Sequence, residues 1–107
     1  MKKKEKGIRL ELLMRRKNKK KTAKQLERYF KGVANHRRIE ILRLISEAEG
    51  ITVDGICQSL NANFKTISEH LRRLVQAGLV KKKYRGRQVQ HYLSPYGKKF
   101  LKFIESF

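Results

Sequence analysis

The chain has 107 residues, 28 of them Lys or Arg and 9 Asp or Glu, for a formal charge of +19. That is the length of one domain with a small core, and its field draws polyanions, nucleic acid before anionic membrane. A lone Cys57 excludes an intrachain disulfide, no stretch approaches membrane-spanning length, and scattered acids with no Gly-rich phosphate loop or Ser/His/Asp set argue against an enzyme.

Residues 1–22 read as a basic arm, followed by a domain over 23–107. Residues 1–24 carry twelve basic and two acidic side chains, so the charge excess continues beyond the arm. Arg9 and Glu11 interrupt the apolar run of the opening, and "RRKNKKK" follows where a leader peptide would have small residues. A soluble, cytoplasmic protein is expected. Ile8, Leu10, Leu12, Leu13 and Met14 form a piece apolar enough to dock as a short strand or helical turn.

From Thr22 the period becomes helical. Leu26, Tyr29, Phe30 and Val33 predict a first helix near 22–33. Asn35 suits the N-cap of a second, whose wide apolar face is Ile39, Ile41, Leu42, Leu44 and Ile45, with Gly50 as its stop. "ITV" is a short extended piece. Val53, Ile56, Cys57 and Leu60 then mark a short third helix, and "NAN" a turn. Asn63 caps a fourth helix with Ile67, Leu71, Leu74 and Val75 on its buried face and Gly78 after it. Helix, short turn, helix is the helix-turn-helix pattern.

After Gly78 the period switches to two. Leu79–Tyr84 and Val89–Leu93 predict two strands with "RGRQ" at the tip, and Pro95 opens a last helix over 95–106. The fold class expected is mainly α with a small β-hairpin.

A helix fits the major groove of B-form DNA, and its first residues reach base edges. In the fourth helix those are Phe64, Lys65, Thr66 and Ser68, beside the cap Asn63. We expect Lys65, Thr66 and Ser68 to read bases. Asn63, Arg72, Lys82, Arg85 and Arg87 would hold phosphates or the minor groove, with Arg73 and Gln88 at the edge of the same surface. Phe64 either meets a thymine methyl or packs against the turn. Glu69 either accepts from a cytosine or pairs with Lys65 or Arg73 four residues away, and pairing is the reading preferred here.

These segments resemble the winged helix-turn-helix domain of ArsR-type (arsenic-repressor-like) transcription regulators. "LERYFKGVANHRRIEILRLI" is similar to that family's first helix pair, with Asn35 where Asp is usual. "LNANFKTISEHLRRLVQAGLV" is similar to its turn, recognition helix and first wing strand, and "KKKYRGRQVQHYLS" to its wing. The likeness covers roughly residues 23–96. It implies a homodimer that binds a palindromic operator and represses transcription, with dimerisation through the first and last helices. Leu26, Tyr29 and Phe30 on the first, and Tyr96, Phe100, Leu101, Phe103, Ile104 and Phe107 on the last, are the residues on offer; the alternative is that both stripes complete a monomer core.

The family's metal sites are not expected. Where many members carry a Cys pair, this chain has Thr52 and Asp54, and its last helix has no His and only Glu105 as an acid. His36, His70 and His91 follow no ligand spacing, and no cofactor is implied. His70 reads as packed or phosphate-facing, His91 as a wing strand residue, and Cys57 as a small core residue or a redox-sensing thiol. Two rivals stay open: a winged helix for RNA, with Phe64, Tyr84 and Tyr92 as stacking candidates, and a protein–protein module with incidental charge.

Overall fold

The structure, a computed structural model, describes residues 7, 9, 10 and 20–107. The expected docking of the Ile8–Met14 piece lies outside the described residues except for Leu10, which is helical and exposed. From residue 20 onward the chain forms five helices and one hairpin: α1 (Ala23–Val33), α2 (His36–Glu47), α3 (Val53–Leu60), α4 (Phe64–Gln76), β1 (Val80–Arg85), β2 (Gln88–Leu93) and α5 (Pro95–Glu105). It is the winged helix-turn-helix arrangement.

Each helix starts where a side chain takes over an orphan backbone donor. Thr22 and Gln25 form a reciprocal capping box on α1. Asn35, Thr52, Asn63 and Ser94 accept from the first turns of α2, α3, α4 and α5. α3 ends on Asn61 in the left-handed region (φ 49°), which makes the tight corner before α4.

The apolar stripes meet in one core. Ile41, Leu42 and Ile45 of α2, Ile56 of α3, and Ile67, Leu71 and Leu74 of α4 are fully or almost fully buried, with Leu79 sealing the base of the hairpin. Ile39, Leu44 and Val75, expected within the buried faces, are only half-buried and edge the core.

The hairpin pairs antiparallel from Val80↔Leu93 out to Arg85↔Gln88. The strands are therefore one residue longer at the tip than "RGRQ" suggests, leaving a two-residue turn of Gly86 and Arg87. Gly86 has φ +63° and Arg87 is not in the left-handed region, the type II′ pattern with glycine first. Ile51 adds a single bridge outside β2: the His91 N–H donates to its carbonyl at 3.1 Å, and the Gly50 N–H to the His91 carbonyl at 2.9 Å. At the other side of the base, the Ser94 hydroxyl donates to the Gly78 carbonyl. The hairpin is thus fastened to the end of α4 and to the loop before α3.

Candidate nucleic-acid interface

α4 projects its first turn into solvent. Asn63 Oδ1 accepts from the Thr66 N–H at 2.8 Å, so the cap is made and the N–H groups of Phe64 and Lys65 are left at the positive end of the helix. Phe64 is 61% exposed, and Lys65 and Thr66 are exposed too. Ser68 sits lower, half-buried beside the core residue Ile67. At 61% exposure, most of the Phe64 side chain faces solvent.

Glu69 is paired with Arg73, one of the two partners expected, and with Arg72 as well. Its carboxylate accepts from Arg72 at 2.6 and 3.1 Å and from Arg73 at 3.1 Å, while no bond to Lys65 forms. These two guanidinium groups, Arg72 first, hold the carboxyl down at about 2. The acid therefore occupies one edge of both arginines and lowers the net positive charge of mid-helix α4.

The wing carries its cations on two faces. Residues opposite each other in an antiparallel pair point the same way, and neighbours along a strand point opposite ways. Lys82 pairs with His91, whose side chain is in the core, so Lys82 rises on the helix-facing side together with Tyr84 and Val89. Lys81, Lys83 and Arg85 lie on the other side with Gln88. The expected grouping of Lys82 with Arg85 is split, because the two are three residues apart on one strand and point to opposite faces. Arg85, Arg87 and Gln88 are exposed at the tip, and Tyr84 beside them is 72% exposed.

Two of the histidines are tied into the packing. His91 is fully buried; its Nδ1 stands 2.9 Å from the Ile51 carbonyl, which only accepts, so the ring proton sits on Nδ1. His91 Nε2 is buried with no hydrogen-bond partner among the described residues. Burial lowers the pKa of this ring. His70 accepts at Nδ1 from Arg38 Nε at 3.2 Å, and burial, then Arg38, lowers its pKa. Arg38 also donates from Nη1 to the Lys31 and Gly32 carbonyls at 3.2 and 3.1 Å, capping the end of α1 and tying α1 and α4 to α2. Nothing local in the sequence marks Arg38, because its partners lie six, seven and thirty-two residues away.

Cys57 is half-buried against the core edge. Burial, then the Asp54 carboxylate, pushes its thiol pKa up, opposite to what a reactive thiolate needs. Among the described residues no three His, Cys, Asp or Glu side chains stand together as metal ligands.

The residues expected at a dimer interface divide in two. Tyr29 and Leu101 are buried within the chain, at 5% and 8% exposure, so they have little surface to give and belong to the core. Leu26, Phe30, Tyr96, Phe103 and Phe107 are exposed, and Phe100 and Ile104 half-buried. Phe30, Phe100, Phe103 and Phe107 form a run of edge-to-face rings with centroids 5.0–6.3 Å apart. Beside them lies an apolar groove of about 370 Å³ between α1 and α5, lined by Phe30, Val33, Ile39, Phe100, Phe103 and Ile104.

A turn-linked helix pair followed by a basic two-stranded wing defines the winged helix-turn-helix class. Within it, residues 35–82 match the family model described as "Bacterial regulatory protein, arsR family". The arsenical resistance operon repressor of Escherichia coli (strain K12) is 34% identical over 67 residues, which are 63% of this chain and 57% of that protein. This chain thus spans little more than half the length of that relative. Two solved structures superpose well. One is a homodimeric winged helix-turn-helix DNA-binding domain from Mycobacterium bovis, described as a possible ArsR-family transcriptional regulator. It has a TM-score of 0.71 and 26% identity, covering 78% of this chain and 77% of that one. The other is the transcriptional regulator HlyU of Vibrio vulnificus, with a TM-score of 0.69 and 26% identity, covering 88% and 95%.

Proposed function

We infer that this chain is a homodimeric, sequence-specific double-stranded DNA-binding transcription regulator, a repressor in type, working without the family's metal-sensing sites. The observation that carries this reading is the exposed first turn of α4, capped by Asn63, together with an exposed hairpin tip of Arg85 and Arg87 with no acid among its residues. Lys65 and Thr66 read base edges, with Ser68 contributing from its lower position, and Phe64 covers a thymine methyl. Asn63, Arg72, Lys82, Arg85, Arg87 and Gln88 hold the backbone or the minor groove. Glu69 steadies Arg72. Arg73 is left out of this set, because it lies towards the far end of α4 and turns to α1.

The apolar groove and the exposed rings of α1 and α5 support the dimer, and the Mycobacterium bovis neighbour is itself a homodimer. Two recognition helices related by a two-fold axis read an inverted repeat.

One observation favours a second reading. Phe64 and Tyr84 stand exposed beside cationic side chains, as base-stacking residues do in single-stranded RNA binders. Tyr92 does not join them: it is half-buried and its hydroxyl donates to Gln90 at 3.0 Å. Selection from random duplex DNA at physiological salt, scored beside single-stranded RNA of equal length, separates the two. Enrichment of an inverted repeat is expected. Absence of any motif, with RNA bound more tightly, transfers the function to RNA.

A further inference from the structure

The charge of this chain is concentrated at a second place, away from the reading end of α4. A cleft of about 380 Å³ opens between α1 and the far end of α4, lined by Lys24, Glu27, Arg28, Lys31, Arg38 and Arg73. Its floor is where the two helices come closest: a Cβ on Gly32 would collide with that of Ala77. Five of these six side chains are cationic. Glu27 is the one acid, and it is taken up by Lys31 at 2.9 Å. The last carbonyls of α1 would repel an anion, but Arg38 Nη1 covers those of Lys31 and Gly32. Arg73 commits only its Nε to Glu69, so both of its Nη groups are unpaired among the described residues. Arg38 Nη2 has no bond among them either.

We propose that this cleft is a binding site for a small diffusible anion carrying linked phosphates, a di- or triphosphate group. The volume falls in the range of small-ligand sites. One phosphate cannot span cations drawn from three helices, whereas a short chain of phosphates can, and guanidinium groups bind such oxygens in pairs. The cleft lies on the α1 side of α4, towards the helix's far end and away from its first turn. Arg73 is nine residues beyond Phe64, about 14 Å along the helix.

The test is calorimetric titration of the full chain with inorganic tripolyphosphate, pyrophosphate and orthophosphate at physiological salt. We expect one tripolyphosphate per chain, with orthophosphate much weaker. R28A with R73A, both exposed and so expected to fold, lowers tripolyphosphate affinity about tenfold or more, the effect of losing charge-assisted hydrogen bonds. K81A with K83A removes the same charge from the wing and changes the affinity less than about twofold. Equal losses in the two double variants would reduce the binding to the general field of the chain and overturn the proposal. So would orthophosphate binding as tightly as tripolyphosphate. In a parallel arm with random-sequence duplex DNA, R28A with R73A should leave affinity near that of the parent. A loss as large as that of R85A with R87A would make the cleft part of the nucleic-acid surface instead.

Discussion

Glu69 sits on the helix expected to approach a polyanion, which makes its pairing the decisive local fact. With its carboxyl held down at about 2, the acid stays ionised far below the usual carboxylate range. A carboxylate-resolved NMR titration should place its midpoint near 2, and near the ordinary value once Arg72 and Arg73 are both replaced by Ala. The folded-state value is depressed, so the stability this group contributes is present above the ordinary pKa of about 4.5 and fades as pH falls towards 2. His91 and His70 act in the window above. Both have folded values lowered by burial, so the unfolded chain takes up protons first as pH drops below about 6.5. Stability is therefore full above that pH and declines below it. The urea midpoint should fall between pH 7 and pH 5, and H91Q should flatten part of that decline. A midpoint flat across this range in the parent chain contradicts the buried neutral His91.

At the scale of elements, two junctions hold α4 and the wing in place. The first is the start of α4, where Asn63 supplies the cap; N63A should cost about 1 kcal/mol of unfolding free energy. The second is the base of the hairpin, where α5 begins. A Cβ on Gly97 would run into the backbone carbonyl of Leu79, a rigid obstacle with no rotamer to yield. G97A should cost about 3 kcal/mol, in the overpacking range, and shift the resonances of both β1 and α5. The wing tip itself is free of such constraint. R85A with R87A should leave stability unchanged while weakening duplex binding for every sequence. It should also lower the slope of log affinity against log salt by about 0.9 for each phosphate that is no longer neutralised. T66A should instead change which sequence is preferred.

Over the whole molecule, the core already uses the inner residues of α1 and α5, and a band of phenylalanine rings remains outside it. A domain this small gains from covering such a band. F30E with F103E replaces two exposed rings at the centre of the band, so the monomer should stay folded. Sedimentation velocity should then show the dimer dissociation constant raised about a hundredfold or more, the loss typical of aromatic anchors at an interface. An unchanged sedimentation profile would refute the α1–α5 interface. The charge acts over the same scale, spread between the wing, the first turn of α4 and the α1–α4 cleft.

Much of this was open to local reading, for reasons that particular residues show. Thr22, Asn35, Thr52, Asn63 and Ser94 cap because a short polar side chain reaches its own helix's first donors, and Gly50 and Gly78 stop helices by adopting positive φ. Those effects span a few residues, so helix order, the turn, the hairpin and the exposed start of α4 follow from the sequence itself. Partner choice among near neighbours is harder. Glu69 had arginines at both three and four positions, and took both in place of Lys65.

What only the tertiary structure decided involves residues brought together across the chain. Tyr29 and Leu101 went into the core and Phe30 and Phe103 to the outside, although all four sit on stripes that periodicity cannot divide. His91 was turned inward, its Nδ1 on the carbonyl of Ile51 forty residues earlier, and the hairpin pairing carried Arg85 into the strand, on the face opposite Lys82. Arg38 found its three acceptors, and the cationic cleft its walls, only when α1, α2 and α4 were packed. The sequence alone determined the elements and the sign of their charge, because capping, periodicity and composition are local. Which faces meet depends on the packing of the whole chain, and no short window contains that information.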